Sequence, residues 1–189
     1  QALAPDLSFG WNIRAASDDE YPSDFSKSIS TSAERQLLRE IRTDYQGKYW
    51  SLTARAQNYQ ILQDPAAATD PSLTVIRPYD RLPQSNCHAG RYDVGGFDWA
   101  LDAELVRFSH PDFQTGNRAV AIPQISYPFI RPGYFVTPKL MVHSSKYDVD
   151  TVGGASRTLT RTLPTFSLDS GLIYERDAKL LGKNVTQTL

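Results

Sequence analysis

The sequence predicts an all-β fold: antiparallel, up-and-down strands forming a fragment of a large transmembrane β-barrel, about nine strands in 189 residues. Three observations predict it. Apolar and polar residues alternate with a period of two, over segments near the ~9–11 residues of a bilayer-spanning strand and longer than the ~5–6 of soluble strands. The links between segments alternate between long and short, so one rim of the sheet carries tight turns and the other long loops. No apolar run is long enough for a membrane helix, which leaves strands as the only way across a bilayer.

The first segment is Leu7 to Ala16, where Leu7, Phe9, Trp11 and Ile13 alternate with Ser8, Gly10, Asn12 and Arg14. A long polar link, Ser17 to Glu34, follows. The second segment, Arg35 to Tyr45, overlaps "SAERQLLREIR", the one stretch with a helical spacing; Leu37, Ile41 and Tyr45 on one face make it a strand whose comb Arg39 interrupts. Three residues, Gln46 to Lys48, connect it to the third, Tyr49 to Leu62, where Trp50, Leu52, Ala54 and Ala56 oppose Ser51, Thr53, Arg55 and Gln57. After the long link Gln63 to Arg81 comes a weakly alternating fourth segment, Leu82 to Tyr92, then the turn "DVGG". The fifth, "GGFDWALDAELVRF", has the cleanest comb: Phe97, Trp99, Leu101, Ala103 and Leu105 on one side, Asp98, Asp102 and Glu104 on the other. The sixth is Arg118 to Tyr127, the seventh Tyr134 to Tyr147 after the turn "PFIRPG", and the eighth Leu163 to Glu175 after a link from Asp148 to Thr162. A further link, Asp177 to Lys183, leads to a ninth near Asn184. Pro83, Pro123, Pro138 and Pro164 fall inside these segments, where proline removes a ladder donor; bulges would accommodate them.

Phase assigns the two faces. A lipid-facing set comprises Phe9, Trp11, Trp50, Trp99, Leu101, Leu105, Leu140, Phe166 and Leu172, with Tyr45, Tyr127 and Tyr174 at strand ends as interfacial aromatics. A lumen-facing set comprises Asn12, Arg14, Arg55, Gln57, Asp98, Asp102, Glu104, Lys139 and His143. The second set mixes charges of both signs, which a wet lumen tolerates and a packed core does not. The competing reading of the same alternation is a soluble β-sandwich with the comb packed on a second sheet.

Chemistry-bearing motifs are absent. A net charge of −1 gives no electrostatic case for nucleic acid. His88, His110 and His143 have no partners at metal-ligand spacing, and the single Cys87 forms no internal disulfide. The three acids of the fifth segment are two and four residues apart on one strand face, but a solvated wall explains them more simply than a carboxylate pair for catalysis. The "VGG" triplets are turn glycines, since no helix follows them. No cofactor, metal site or catalytic residue is expected.

The stretches "NYQILQDP", "RYDVGGFDWALDAELVRFSHP", "YPFIRPGYFVTPKL", "RTLPTFSLDSGLIYERD" and the terminal "TQTL", in that order, together with the "SDDEYPSDF" loop, resemble the barrel domain of the LPS-assembly protein family (LptD, also OstA or Imp). The resemblance covers nearly the whole chain; "QSNCHAG" departs from it, since larger apolar residues are expected at Ser85 and Cys87. It implies that residues 1–189 are an early-to-middle part of an outer-membrane barrel in a Gram-negative bacterium. The periplasmic domain and the last strands would lie outside the chain. It further implies lipopolysaccharide as cargo, outer-membrane lipids around the wall, the lipoprotein LptE as a plug in the lumen, and the periplasmic bridge protein LptA, reached through the periplasmic domain. The three acids would line the channel crossed by the sugar chain and keep an anionic head group from sticking. Another outer-membrane barrel, a porin or a transporter, is the alternative within the same fold.

Overall fold

A computed structural model describes residues 2–20, 34–151, 154–180 and 182–188. The strands are β1 (Ala2–Ala4), β2 (Leu7–Ile13), β3 (Gln36–Gln46), β4 (Trp50–Ile61), β5 (Asp80–Val94), β6 (Phe97–Ser109), β7 (Thr115–Ser126), β8 (Phe129–Arg131), β9 (Tyr134–Asp150), β10 (Ser156–Leu172), β11 (Glu175–Leu180) and β12 (Lys183–Thr188). Ten of them form one antiparallel sheet in the order β1-β2-β3-β4-β5-β6-β7-β9-β10, with β8 paired to the start of β9; β11 and β12 form a separate hairpin. Every neighbour is next in sequence, apart from the small β8 interruption, so the sheet is a meander. It is open, with β1 and β10 at its edges.

The turns follow from local chemistry. Gly95 (φ 64°) and Gly96 (φ 86°) both occupy the left-handed region, as a two-residue I′ hairpin between β5 and β6 requires. Pro132 and Gly133 (φ 87°) close β8 onto β9 with the Pro-Gly chemistry of a tight turn. From Gln36 on, "SAERQLLREIR" is β3, because β4 pairs all eleven residues of that strand and β2 pairs Arg39 to Tyr45 from the other side.

Four features differ from the sequence expectation. The link from Asp148 to Thr162 is mostly strand: β9 continues to Asp150 and β10 starts at Ser156. These extensions carry polar residues on both faces, so no hydropathic comb marks them, although the Thr-rich composition suits a strand. Asp177 to Lys183 is the β11–β12 hairpin, so the regular alternation of long and short links ends before it. The first strand stops at Ile13, and a short strand, β8, lies inside "PFIRPG". Most of the "SDDEYPSDF" loop lies outside the described residues.

The four prolines sit where little is lost. Pro83 lies in the register shift between Arg81 and Gln84. The ladder between β7 and β9 skips Pro123. Pro138 accepts from the Tyr127 N–H at the end of β7, where that ladder finishes. Pro164 is on the edge strand.

Candidate functional site

Cross-strand partners share a face, so the register assigns every side chain. One complete row reads Tyr45, Leu52, Cys87, Ala103, Ala121, Ser144, Thr162 across β3, β4, β5, β6, β7, β9 and β10. All nine residues of the apolar set, Phe9, Trp11, Trp50, Trp99, Leu101, Leu105, Leu140, Phe166 and Leu172, lie on the face this row defines. Asn12, Arg55, Gln57, Asp98, Asp102, Glu104, Lys139 and His143 lie on the other, and Arg14, just past β2, continues it opposite Leu38.

Burial on these faces is inverted relative to a soluble protein. Trp11, Leu105 and Phe166 are 61%, 62% and 68% exposed, whereas Gln57 and Gln84 on the polar face are 7% and 6% exposed. No second layer covers the apolar face among the described residues. On β6, β7, β9 and β10 the apolar face runs for nine residues each: Phe97–Leu105, Ala119–Tyr127, Tyr134–Val142 and Pro164–Leu172. Only Ser170 interrupts it with a polar side chain. On β5 the small residues Cys87 and Ala89 and the hydroxyl of Ser85 thin the band, which is why that segment alternates weakly in sequence.

The band crosses the strands on a diagonal. Counted from the row above, the last apolar residue before a charged one lies four positions toward the long-loop rim on β3 (Ile41, before Arg39) and two on β6 (Leu105, before Arg107). On β9 (Val142) and β10 (Pro164) the last apolar residue lies two positions toward the short-turn rim. That is six residues over six strand-to-strand steps. With a rise of about 3.4 Å per residue and about 4.8 Å between strands, the slope is about 35°, within the tilt of about 35–45° found in membrane barrels. Nine residues at that tilt span roughly 22 Å, close to the ~25 Å apolar band of such barrels. At the short-turn rim the band ends in aromatic pairs: Tyr45 with Trp50 at 4.4 Å between ring centroids, and Phe97 with Tyr127 at 4.9 Å.

The polar face is tied together by a chain of charged and amide groups over five strands. Arg55 Nη1 lies 3.8 Å from Glu40 Oε2, and Arg55 Nε donates to Gln84 Oε1 at 2.8 Å. Gln84 Nε2 donates to Glu104 Oε1 at 2.5 Å, and Arg118 Nη2 donates to Glu104 Oε2 at 2.7 Å. His88 Nδ1 lies 2.6 Å from Asp102 Oδ1, and Asp98 accepts the Asp93 N–H at 2.8 Å. The acids are therefore partnered, and the wall carries less free negative charge than the sequence implies. Arg14 pairs with Glu34 at 2.5 Å. Glu40, Gln84 and Arg118 belong to this network and carry no signal in the sequence, because their partners are fixed by register. Among the described residues no cluster of His, Cys, Asp or Glu could hold a metal ion.

At the long-loop rim, residues 63–79 fold down as a cap. Gln63 exchanges two hydrogen bonds with the Val75 backbone, at 3.0 and 2.9 Å, and Leu62 is fully buried. His110, in the loop after β6, is buried: its Nε2 faces the Arg77 carbonyl at 3.0 Å, and its Nδ1 accepts the N–H groups of Asp112 and Phe113 at 3.0 and 3.1 Å.

The family model described as LPS transport system D matches residues 1–189. Relatives named LPS-assembly protein LptD include those of Cupriavidus metallidurans (41% identical over the whole chain and 23% of the relative), Ralstonia nicotianae (41%, whole chain, 24%) and an Azoarcus species (42%, whole chain, 24%). The chain thus spans about a quarter of the length of the curated relatives it matches.

Proposed function

Because the chain belongs to the LPS transport system D (LptD) family, we propose that it is a segment of an outer-membrane barrel wall that delivers lipopolysaccharide to the outer leaflet of a Gram-negative bacterium. The observation that carries this reading is the inverted burial: a nine-residue apolar band, uncovered and tilted at about 35°, backs onto a hydrogen-bonded polar face. In the proposed arrangement Phe9, Trp11, Trp50, Trp99, Leu101, Leu105, Leu140, Phe166 and Leu172 meet acyl chains. Asn12, Arg14, Arg55, Gln57, Asp98, Asp102, Glu104, Lys139 and His143 meet lumen water. The short turns mark the periplasmic rim and the long loops the outer rim, as in other barrels. Residues 1–189 form an early-to-middle part of the barrel; LptE plugging the lumen and LptA docking on a preceding periplasmic domain complete the assembly. The work is transport, and no residue of the wall is assigned catalysis.

Leu101 stands at the centre of the Phe97–Leu105 band, next to Asp102 on the opposite face. A cation at mid-bilayer costs a barrel about 2–4 kcal/mol, and far less in the lumen. In cells depleted of the parent protein, full-length Leu101→Arg is expected to fail to deliver lipopolysaccharide to the surface, and Asp102→Arg to deliver it. Normal delivery by Leu101→Arg alongside failure of Asp102→Arg would reverse the faces and overturn the reading.

A further inference from the structure

Three hairpins carry the same couple just above the apolar band, on the same face. Arg39 on β3 stands opposite Asn58 on β4, Arg107 on β6 opposite Asn117 on β7, and Lys146 on β9 opposite Thr160 on β10. Each couple joins a cation to a neutral hydrogen-bond donor. Their heights fall along the same diagonal as the band: Arg39 lies two residues beyond Ile41, Arg107 two beyond Leu105, and Lys146 four beyond Val142. The nearest carboxylate on this face is Asp148, which stands opposite Asn117 on β7 and two residues beyond Lys146 toward the loop rim.

We propose that these couples form a belt that binds phosphate groups on lipid head groups in the leaflet at the long-loop rim. The proposal rests on the apolar face being the lipid-facing one. Arg107 is exposed and has no ion-pair partner among the described residues. Arg39 commits Nε to the Arg14 carbonyl and one Nη to Gln60 Oε1, which holds the guanidinium at the band edge and leaves the other Nη free. Lys146 is exposed and shares its charge with Asp148 at 3.1 Å; Asp148 is also held by Thr158 at 2.7 Å. A planar guanidinium next to an amide donor, or an ammonium next to a hydroxyl, suits the three oxygens of a phosphate. The couples are separated by two or three strands, about 10–15 Å, so each addresses its own head group. At the opposite rim the cations behave differently: Arg91 and Lys48 both lie over the Tyr49 ring, at 4.4 and 5.0 Å.

The reporter is Trp11, on the same face opposite Ile41, one alternation below Arg39. Full-length protein would be placed in phosphatidylcholine vesicles doped with brominated-chain phosphatidic acid or brominated-chain phosphatidylcholine. Quenching of Trp11 is read as the difference between the parent and Trp11→Phe. The parent is expected to prefer phosphatidic acid by about tenfold, and high salt to remove that preference. Arg39→Gln with Arg107→Gln and Lys146→Gln is expected to bring the ratio near one while phosphatidylcholine still quenches. Equal quenching of the parent by both lipids would overturn the belt and leave the lipid-facing reading standing. No quenching by either lipid would overturn both. A preference abolished by soluble glycerol phosphate would assign the couples to free phosphate and overturn the lipid assignment. The parent's salt response decides the matter even if the triple variant fails to insert.

Discussion

Below and above the upper edge of the band, the same strands obey different rules. From Tyr134 to Val142, β9 needs only the right class of side chain at each position, apolar throughout on one face and mixed on the other, where Thr137 and Lys139 stand between Phe135 and Met141. From Ser144 to Asp150 both faces carry polar residues, and specific partners take over, such as the Thr158 hydroxyl on Asp148. The cap over the loop rim takes this further, since residues 63–79 are held by individual atoms of Gln63, Arg35, Asp64 and His110. A wall with two unlike faces is specified by pattern, and the cap by addresses. Variants should therefore act in different ways in the two regions.

The largest effect is expected in the cap. His110→Ala removes the acceptor of two backbone N–H groups and the partner of the Arg77 carbonyl, in part-buried hydrogen bonds around a buried imidazole. Unsatisfied buried groups cost about 1–3 kcal/mol each, so a local loss of about 2–5 kcal/mol is expected. Hydrogen exchange in the full-length protein should rise across residues 63–79 and 110–114 and stay unchanged at Leu101. A rise that spread evenly along β6 would mean the cap is not a separate unit.

In the wall, Glu104→Ala should act sideways across strands. It leaves Arg118 and Gln84 without their shared carboxylate on a partly buried face. The expected cost is about 1–3 kcal/mol, since both partners can turn to water. Adding Arg118→Ala should recover part of it, because the orphaned charge goes too. A double variant as costly as the two single ones summed would break the chain of contacts inferred here.

The same contrast explains what the sequence discloses. Period two is visible wherever the two faces meet different environments, so Phe97 to Leu105 is legible at once and both site sets fall on separate faces. The strand ends beyond Tyr147 and before Leu163 were legible only as polar chain, because polar residues on both faces erase the comb. Partnerships such as Gln84 with Glu104 were not legible at all: they depend on register, and the shift at Pro83 moves the register of β5. The cap was hidden for a third reason. Its loop satisfies its backbone with side chains from elsewhere, and Asp64 and Asp70 look like ordinary turn residues until their targets are known.

The smallest effect tests the finest of these addresses. Asp70 begins a 3-10 turn at Pro71–Leu73, accepting the Ser72 N–H at 2.9 Å and the Ser72 hydroxyl at 2.6 Å. The hydroxyl, then the backbone N–H, holds the Asp70 carboxyl below the usual aspartate range. A carboxylate with a lowered folded pKa stabilises the turn above the unfolded value, near pH 4, and loses that contribution as pH falls through the folded value. Exchange protection at Ser72 should therefore decline below about pH 4. Asp70→Asn keeps an acceptor oxygen on the same cap but cannot titrate, so its protection should be flat across that range. If the variant shows the parent's decline, another carboxylate governs this end of the cap, and the turn belongs to the pattern-built region after all.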